Sequence, residues 1–306
     1  MKENTPSATA IVVAKNVALI AASPSLAHLV PADAAELTGL FLQRYHPRGG
    51  AFLRKAQRSW FRFLFRCYER CTIPGLALHQ TLRKRHIERI VRASLAEGFT
   101  QVVVLGGGLD TLALRLHKEF PAVKFLELDH PATQEVKRKA IEERQLAAGN
   151  LRLNPVDLAQ QPLENFLAAN PDYEPHRRTL FLSEGVLMYL TPEEVDRLFA
   201  ALGQQKCPAV RFLFTFMQLD GRGRPAFRNT TWLVRLWLGL KKEPFRWGLL
   251  APAVADFVQA GGFLVKELVN EATFRCTELR GDLKRQTLAE GEILCVADMR
   301  ENASVQ

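Results

Sequence analysis

The stretch that most restricts the fold runs from Gln101 to Leu116, QVVVLGGGLDTLALRL. A β-branched apolar run reads as a buried strand, three consecutive glycines break it, and apolar residues resume at helical spacing. A strand that ends on glycines and turns directly into a helix brings bare backbone N–H groups close to a ligand, where the helix dipole favours negative charge. Downstream, short apolar runs alternate with helix-period stretches: KFLEL at 124–128, LRLNPV at 151–156, TLFL at 179–182 and RFLFTFM at 211–217. That alternation predicts βαβ units and a parallel sheet.

The flanks read differently. From about Val12 to Val91 the pattern is helical, cut into segments by Pro31, Pro47-Arg48-Gly49-Gly50 and Pro74-Gly75. Near the other end, GFLVKEL and EILCVADM are two strands with no full crossover helix between them, which predicts an antiparallel pair. In TPEEVDRLFAAL, Thr191 as N-cap, Pro192 at the first helical position and Glu194 two further on form a capping box. That helix opens right after SEGVLMYL, which places Glu184 and its neighbours at the carboxyl edge of the sheet, where open α/β folds bind ligands.

Composition narrows the function classes. The five cysteines show no Cys-x-x-Cys spacing, so reduced thiols are expected and neither a disulfide framework nor a metal site. The apolar stretch IVVAKNVALIAA is interrupted by Lys15 and Asn16 and is too short to span a bilayer, and MKENTPSATA lacks the basic region of a signal peptide. A cytoplasmic protein is the expectation. The net charge of +9 is uneven: from Arg44 to Arg92 there are thirteen Lys/Arg against two acids, Glu69 and Glu88. Such a field attracts an anionic membrane, an acidic small molecule or nucleic acid, unless it is simply a solvated helix face. No RNA-binding motif accompanies the charge, so nucleic acid is disfavoured.

Acids at successive strand ends sharpen the glycine signal. FLELDHP ends a strand in Glu127 and Asp129, about twenty residues past the glycines, where an acid accepts a ribose's vicinal hydroxyls in dinucleotide-type sites. Asp157 beside Leu158 closes the third run and suits an adenine: the carboxylate accepts from its amino group and the leucine packs its ring. Glu184, directly after a buried strand, suits an ammonium or a sulfonium. Two of these acids also have a local alternative, Asp129 as a helix cap and Asp157 as an Asx turn. S-adenosylmethionine meets the description of a ligand with a ribose, an adenine and a positive charge. Thr111, where a dinucleotide fold wants glycine or alanine, weighs mildly against a nicotinamide cofactor and a dehydrogenase.

Three blocks, VVVLGGGLDTLALRL, FLELDHPATQEVKRKA and TLFLSEGVLMYLTPEEVDRLF, make the stretch from about Thr81 to Leu202 resemble the leucine carboxyl methyltransferase family and its bacterial O-methyltransferases of polyketide-type metabolism. The resemblance implies a class I methyltransferase fold: a Rossmann-like seven-stranded sheet, its last strand antiparallel, under a helical N-terminal cap. It divides the chain into a cap (1–95), an S-adenosylmethionine-binding core (96–219), a helical lid insertion (220–260) and C-terminal strands completing the sheet (261–306). By position, Gly106 and Gly108 approach the methionine moiety, Asp129 takes the ribose, Asp157 and Leu158 the adenine, and Glu184 lies near the methionine end. Arg83 in LRKRHIERIV matches the arginine that pairs with the cofactor carboxylate, with Arg85 as the alternative register.

The reaction implied is methyl transfer to an oxygen, in line with the sulfonium carbon. A carboxylate acceptor needs no general base, and cap arginines would position it. An alcohol or phenol acceptor needs one, for which Tyr189 and His130 are the places to look. The rival is a non-catalytic S-adenosylmethionine-binding protein on the same fold. Two basic aromatic segments stand apart from this chemistry. In FLRKAQRSWFRFLFRCYER, arginines recur every four residues at 54, 58, 62, 66 and 70, a stripe on one helix face; in TTWLVRLWLGLKKEPFRWG, Trp232, Trp237 and Trp247 accompany Arg235, Lys241 and Lys242. Such segments either pack as cap helices, lie on an anionic membrane, or grip a bulky apolar acid.

Overall fold

The computed structural model describes residues 7–45, 47–146, 149–158, 160–230 and 245–300. Five helices come first: α1 (Ala8–Ala21), α2 (Ala32–Tyr45), α3 (Gly49–Ala56), α4 (Ser59–Cys71) and α5 (Leu76–Ala96). The alternating part follows: β1 (Gln101–Leu105), α6 (Leu112–Glu119), β2 (Lys124–Asp129), α7 (Pro131–Glu143), β3 (Leu151–Pro155), α8 (Leu163–Ala169), β4 (Thr179–Ser183), α9 (Pro192–Gly203) and β5 (Val210–Gln218). The chain closes with β6 (Gly248–Leu249), α10 (Val254–Ala260), β7 (Phe263–Val269), α11 (Glu271–Thr277) and β8 (Glu292–Met299).

The strand order is β3-β2-β1-β4-β5-β8-β7. The first five strands are parallel, and β8 runs antiparallel to both β5 and β7. These are the seven expected strands; the two-residue β6, which pairs parallel with the end of β5, is an addition that the sequence pattern did not indicate. Because β8 inserts between β5 and β7, the last strand in sequence is an inner strand of the sheet.

Side-chain alternation explains the layering. On β1, Val102 and Val104 enter one core layer and Val103 and Leu105 the other. Leu82, Ile87 and Val91 of α5, Leu42 of α2 and Ile141 of α7 fill the first layer, so the N-terminal helices share a continuous core with the sheet. The second is built around Phe199 of α9, whose ring lies 5.3, 5.2 and 5.0 Å from Phe212, Phe214 and Phe257. The capping box forms as expected, with Thr191 accepting from Glu194 N and Glu194 accepting from Thr191 N.

Two expectations about the basic segments change. The four-residue arginine period does not mark one helix: Arg54 belongs to α3, Arg58 precedes α4, and the chain turns between them. Arg62 is directed inward and donates from Nη1 to Ala56 O at 2.9 Å. Trp247 is core, packed 6.3 Å from Phe216 and 5.4 Å from Phe257. Trp232, Arg235, Trp237, Lys241 and Lys242 lie outside the described residues.

Candidate active site

Parallel strands deliver the segments after β1, β2, β3 and β4 to one edge of the sheet. The glycine loop is held there by its neighbours. Gly106 has φ +72°, its N–H donates to Leu128 O at 2.7 Å, and a Cβ on it would sit 2.4 Å from Val186 Cγ2. A Cβ on Gly107 would sit 2.4 Å from the carboxyl carbon of Glu127. Both positions therefore have to be glycine to let the loop lie flat on the sheet edge. Beneath the loop, Glu127 accepts from Lys137 Nζ at 2.6 Å, with both side chains buried. Burial pushes the Glu127 carboxyl up to about 7, against the pull of Lys137.

Asp129, at the tip of β2, lies against this loop. Its Oδ2 accepts from Gly108 N and its Oδ1 from His130 N, both at 2.7 Å. Burial raises its pKa, and those two N–H groups oppose the rise. A carboxylate oxygen has two lone pairs, so each still has one acceptor site for a ligand hydroxyl. The helix cap after β2 is His130, whose Nδ1 accepts from Ala132 N at 3.3 Å.

The anion expected at the start of α6 is supplied by the chain itself. Asp110 Oδ1 accepts from Leu112 N at 2.6 Å, and its other oxygen pairs with Lys84. Burial would raise Asp110, but Lys84 and Lys137 hold it at about 2. The N–H groups of Gly106 and Gly107 both point to Leu128 O, so all three glycine donors are engaged within the protein.

On the other side of β1, a buried ionic network joins α5, β4 and β8. Arg83 donates from Nε to Glu184 Oε1 at 2.9 Å and from Nη1 to both oxygens of Glu292 at 2.5 and 2.6 Å. Its Nη2 lies 2.7 Å from Glu184 Oε1. Lys84 donates to Glu184 Oε2 at 3.0 Å, and His79 Nε2 is 3.1 Å from Glu292 Oε2. Burial alone would raise Glu292, yet Arg83 and His79 hold it at about 2. Arg83 is thus committed to two protein carboxylates. Arg85 pairs with Glu278 of the segment after α11.

Asp157 and Leu158 follow β3. The Asp157 carbonyl accepts from Gln160 N and Gln161 N at 2.9 Å, and its carboxylate from Gln160 Nε2 at 3.1 Å, while His130 Nε2 is 3.9 Å away. Leu158 is half-buried against the second core layer. Tyr189 is half-buried, its hydroxyl 3.4 Å from Thr9 Oγ1 and its ring 5.6 Å from Phe245. The first turn of α1 therefore reaches the site: Thr9 meets Tyr189, and Ala10 Cβ would be 3.3 Å from a Cβ on Gly108.

The structure thus brings Gly106, Gly108 and Asp129 together, and joins Arg83 to Glu184. Sequence reasoning missed Glu292, His79, Lys84, Asp110 and the Glu127–Lys137 pair. Glu127 is legible as a strand-end acid with Asp129, though its pairing with Lys137 is not, and Asp110 lies inside the glycine segment itself. Glu292 has no such signal.

A family model for leucine carboxyl methyltransferase matches residues 8–203. A protein named "Putative S-adenosyl-L-methionine-dependent methyltransferase" from Mycobacteroides abscessus is 34% identical over 158 residues, 49% of this chain and 47% of the relative. A Bacillus subtilis protein of the same description is 30% identical over 141 residues, 44% of each chain. The chain spans about half the length of the curated relatives it matches. Among solved structures, one titled as a putative methyltransferase from Thermobifida fusca YX superposes with a TM-score of 0.58 at 18% identity, over 91% of this chain and 98% of that one, and shares the fold.

Proposed function

Because the chain belongs to the leucine carboxyl methyltransferase family, we propose that it is an S-adenosylmethionine-dependent methyltransferase that methylates a carboxylate oxygen of a small or lipophilic acid. The observation that carries this reading is the charge of the sheet edge. The three glycine N–H groups are engaged, and a protein carboxylate already fills the start of α6. A pyrophosphate would meet Asp110 there, which argues against a nicotinamide dinucleotide. The network sets Arg83, Lys84 and His79 against Glu184, Glu292 and Asp110, and Asp129 adds a further carboxylate held by backbone N–H groups. An edge with surplus negative charge suits a cationic ligand.

Bound there, S-adenosylmethionine supplies an activated methyl group on a sulfonium. The chain's own residues bind, orient and exclude water. Asp129 takes the ribose hydroxyls on its remaining lone pairs, Asp157 and Leu158 hold the adenine, and Gly106 and Gly108 let the backbone approach the methionine portion. Lys84, about a quarter exposed, has a third ammonium proton to offer the amino-acid carboxylate. Arg83 then acts as a positioning residue through Glu184. Tyr189, Thr9 and Phe245 form the wall that shields the acceptor from water. A carboxylate acceptor is ionised at neutral pH, so the transfer calls for no general base.

The first test is a thermal melt with S-adenosylmethionine, S-adenosylhomocysteine and NAD in separate samples. At a hundredfold excess over its dissociation constant, a true ligand adds about 2.7 kcal/mol. S-adenosylhomocysteine is expected to raise the midpoint and Asp129→Asn to lose the shift; a response to NAD alone overturns the reading. Release of S-adenosylhomocysteine with a lipophilic carboxylic acid separates an enzyme from a binding protein.

A further inference from the structure

Helix α4 is at odds with its apolar content. Its thirteen residues include Trp60, Phe61, Phe63, Leu64, Phe65 and Tyr68, yet none is buried. At 3.6 residues per turn, Trp60, Phe63, Leu64, Cys67, Tyr68 and Cys71 fall within an arc of about 140°. All six are exposed, and the four largest by more than half. The opposite face holds the helix to the protein: Phe61 packs 5.8 Å from Phe52, Phe65 joins the first core layer, and Glu69 accepts from Ala77 N at 2.6 Å. Four of the eight large exposed apolar side chains among the described residues therefore lie on one short helix, aimed at solvent. A patch of this kind marks an interaction surface.

The charges around it indicate what the surface meets. Arg66 and Arg70 line one flank of the apolar stripe, and Arg54, Lys55 and Arg58 cluster at its start. All five are exposed, and none forms an ion pair among the described residues, whereas twelve other described arginines do. Glu69, the one acid of α4, is turned inward. A second copy of the chain is disfavoured, because a two-fold contact through this stripe would set Arg66 and Arg70 against the same residues of the other copy. The stripe is about 20 Å long on a convex helix, so it presents a flat line of contact rather than a knob for a pocket. Aromatic and aliphatic groups at the acyl boundary with arginines reaching phosphates is the pattern of an interfacial helix.

We propose that α4 seats the protein on an anionic phospholipid surface. The contact is peripheral: no helix among the described residues is long and apolar enough to cross a membrane. The segment after α4 leads inward, since Ile73 and Leu76 pack in one cluster with Tyr189 and Phe245. A helix on the bilayer thus connects directly to the wall of the candidate site, a route by which an acid dissolved in lipid reaches it; only this consequence rests on the methyltransferase reading.

The test is flotation of the full chain, without cofactor, on vesicles of phosphatidylcholine alone or mixed with phosphatidylglycerol. Wild type is expected to float with the mixed vesicles, to stay behind with phosphatidylcholine alone, and to be released by high salt. Trp60→Ala/Phe63→Ala/Leu64→Ala abolishes flotation. Arg66→Gln/Arg70→Gln weakens partitioning roughly thirtyfold, from about 1 kcal/mol per charge near an anionic surface. The two sets change different chemistry at exposed positions, so loss in both with wild-type melting curves identifies the surface rather than misfolding. Failure of wild type to float on mixed vesicles overturns the proposal, as does undiminished flotation of the triple variant. So does binding to an acidic polypeptide in place of vesicles, which would make the partner a protein.

Discussion

At the scale of single residues, the sheet edge is organised by pairs in which a buried charge has one or two named partners. Glu292 is the clearest. It meets Arg83 through both oxygens and His79 through one, with less than a tenth of any of the three side chains exposed. Glu292→Gln keeps the shape and removes the charge, leaving Arg83 with Glu184 alone. Breaking a buried pair costs about 3–5 kcal/mol, and a urea titration of the variant is expected to show a loss of that size. Since Arg83 also orients Glu184, the variant should weaken S-adenosylmethionine binding more than Asp157→Asn changes the melt. None of this could be read from the sequence, because Arg83 and Glu292 are 209 positions apart and EILCVADM reads as an ordinary strand. Asp129 and Glu184 could be, because each is an acid next to a strand end that has its own local signature.

Among the elements, the glycine loop and α4 show where pattern reading succeeds and where it fails. The loop was legible because a period of two, a run of glycines and a period of 3.6 follow in immediate succession. What the pattern did not reveal is why Gly107 must be glycine: the place of its side chain is taken by Glu127 of the neighbouring strand. Gly107→Ala is expected to destabilise by about 1–3 kcal/mol, since buried Glu127 is held by Lys137 and has little room to move; denaturant unfolding measures it. The arginine period misled for a related reason. A four-residue spacing counts residues and does not register the turn between α3 and α4, so only Arg62, Arg66 and Arg70 of the five share one helix. The aromatic residues between the arginines were equally visible, but only packing shows that Phe61 and Phe65 are anchored while Trp60, Phe63, Leu64 and Tyr68 are not.

For the whole molecule, the buried carboxylates set opposite pH dependences. Glu292 is held at about 2 against an ordinary 4.5, so its contribution is complete above pH 4.5 and is lost as pH falls towards 2. The shift corresponds to about 3 kcal/mol. Glu127 runs the other way: pushed up to about 7, it favours the fold most fully below pH 4.5, and that contribution declines as pH rises to 7. Stability measured against pH should therefore climb steeply from pH 2 to 4.5 and be offset in part between 4.5 and 7. Glu292→Gln should reduce the first limb, to which Asp110, also held at about 2, still contributes, and Glu127→Gln should flatten the second.

The position of β8 also sets an order of events during synthesis. The chain emerges from the ribosome with its helices and the five parallel strands first, and β5 then has an unpaired edge lined by backbone donors and acceptors. Not until residues 292–299 are out can that edge be covered, Arg83 meet Glu292 and β7 find its partner. A nascent chain therefore carries an open sheet from the completion of β5 until residues 292–299 have been made. Occupancy by chaperones, sensitivity to proteases and the onset of ligand binding should all change together, when β8 is made.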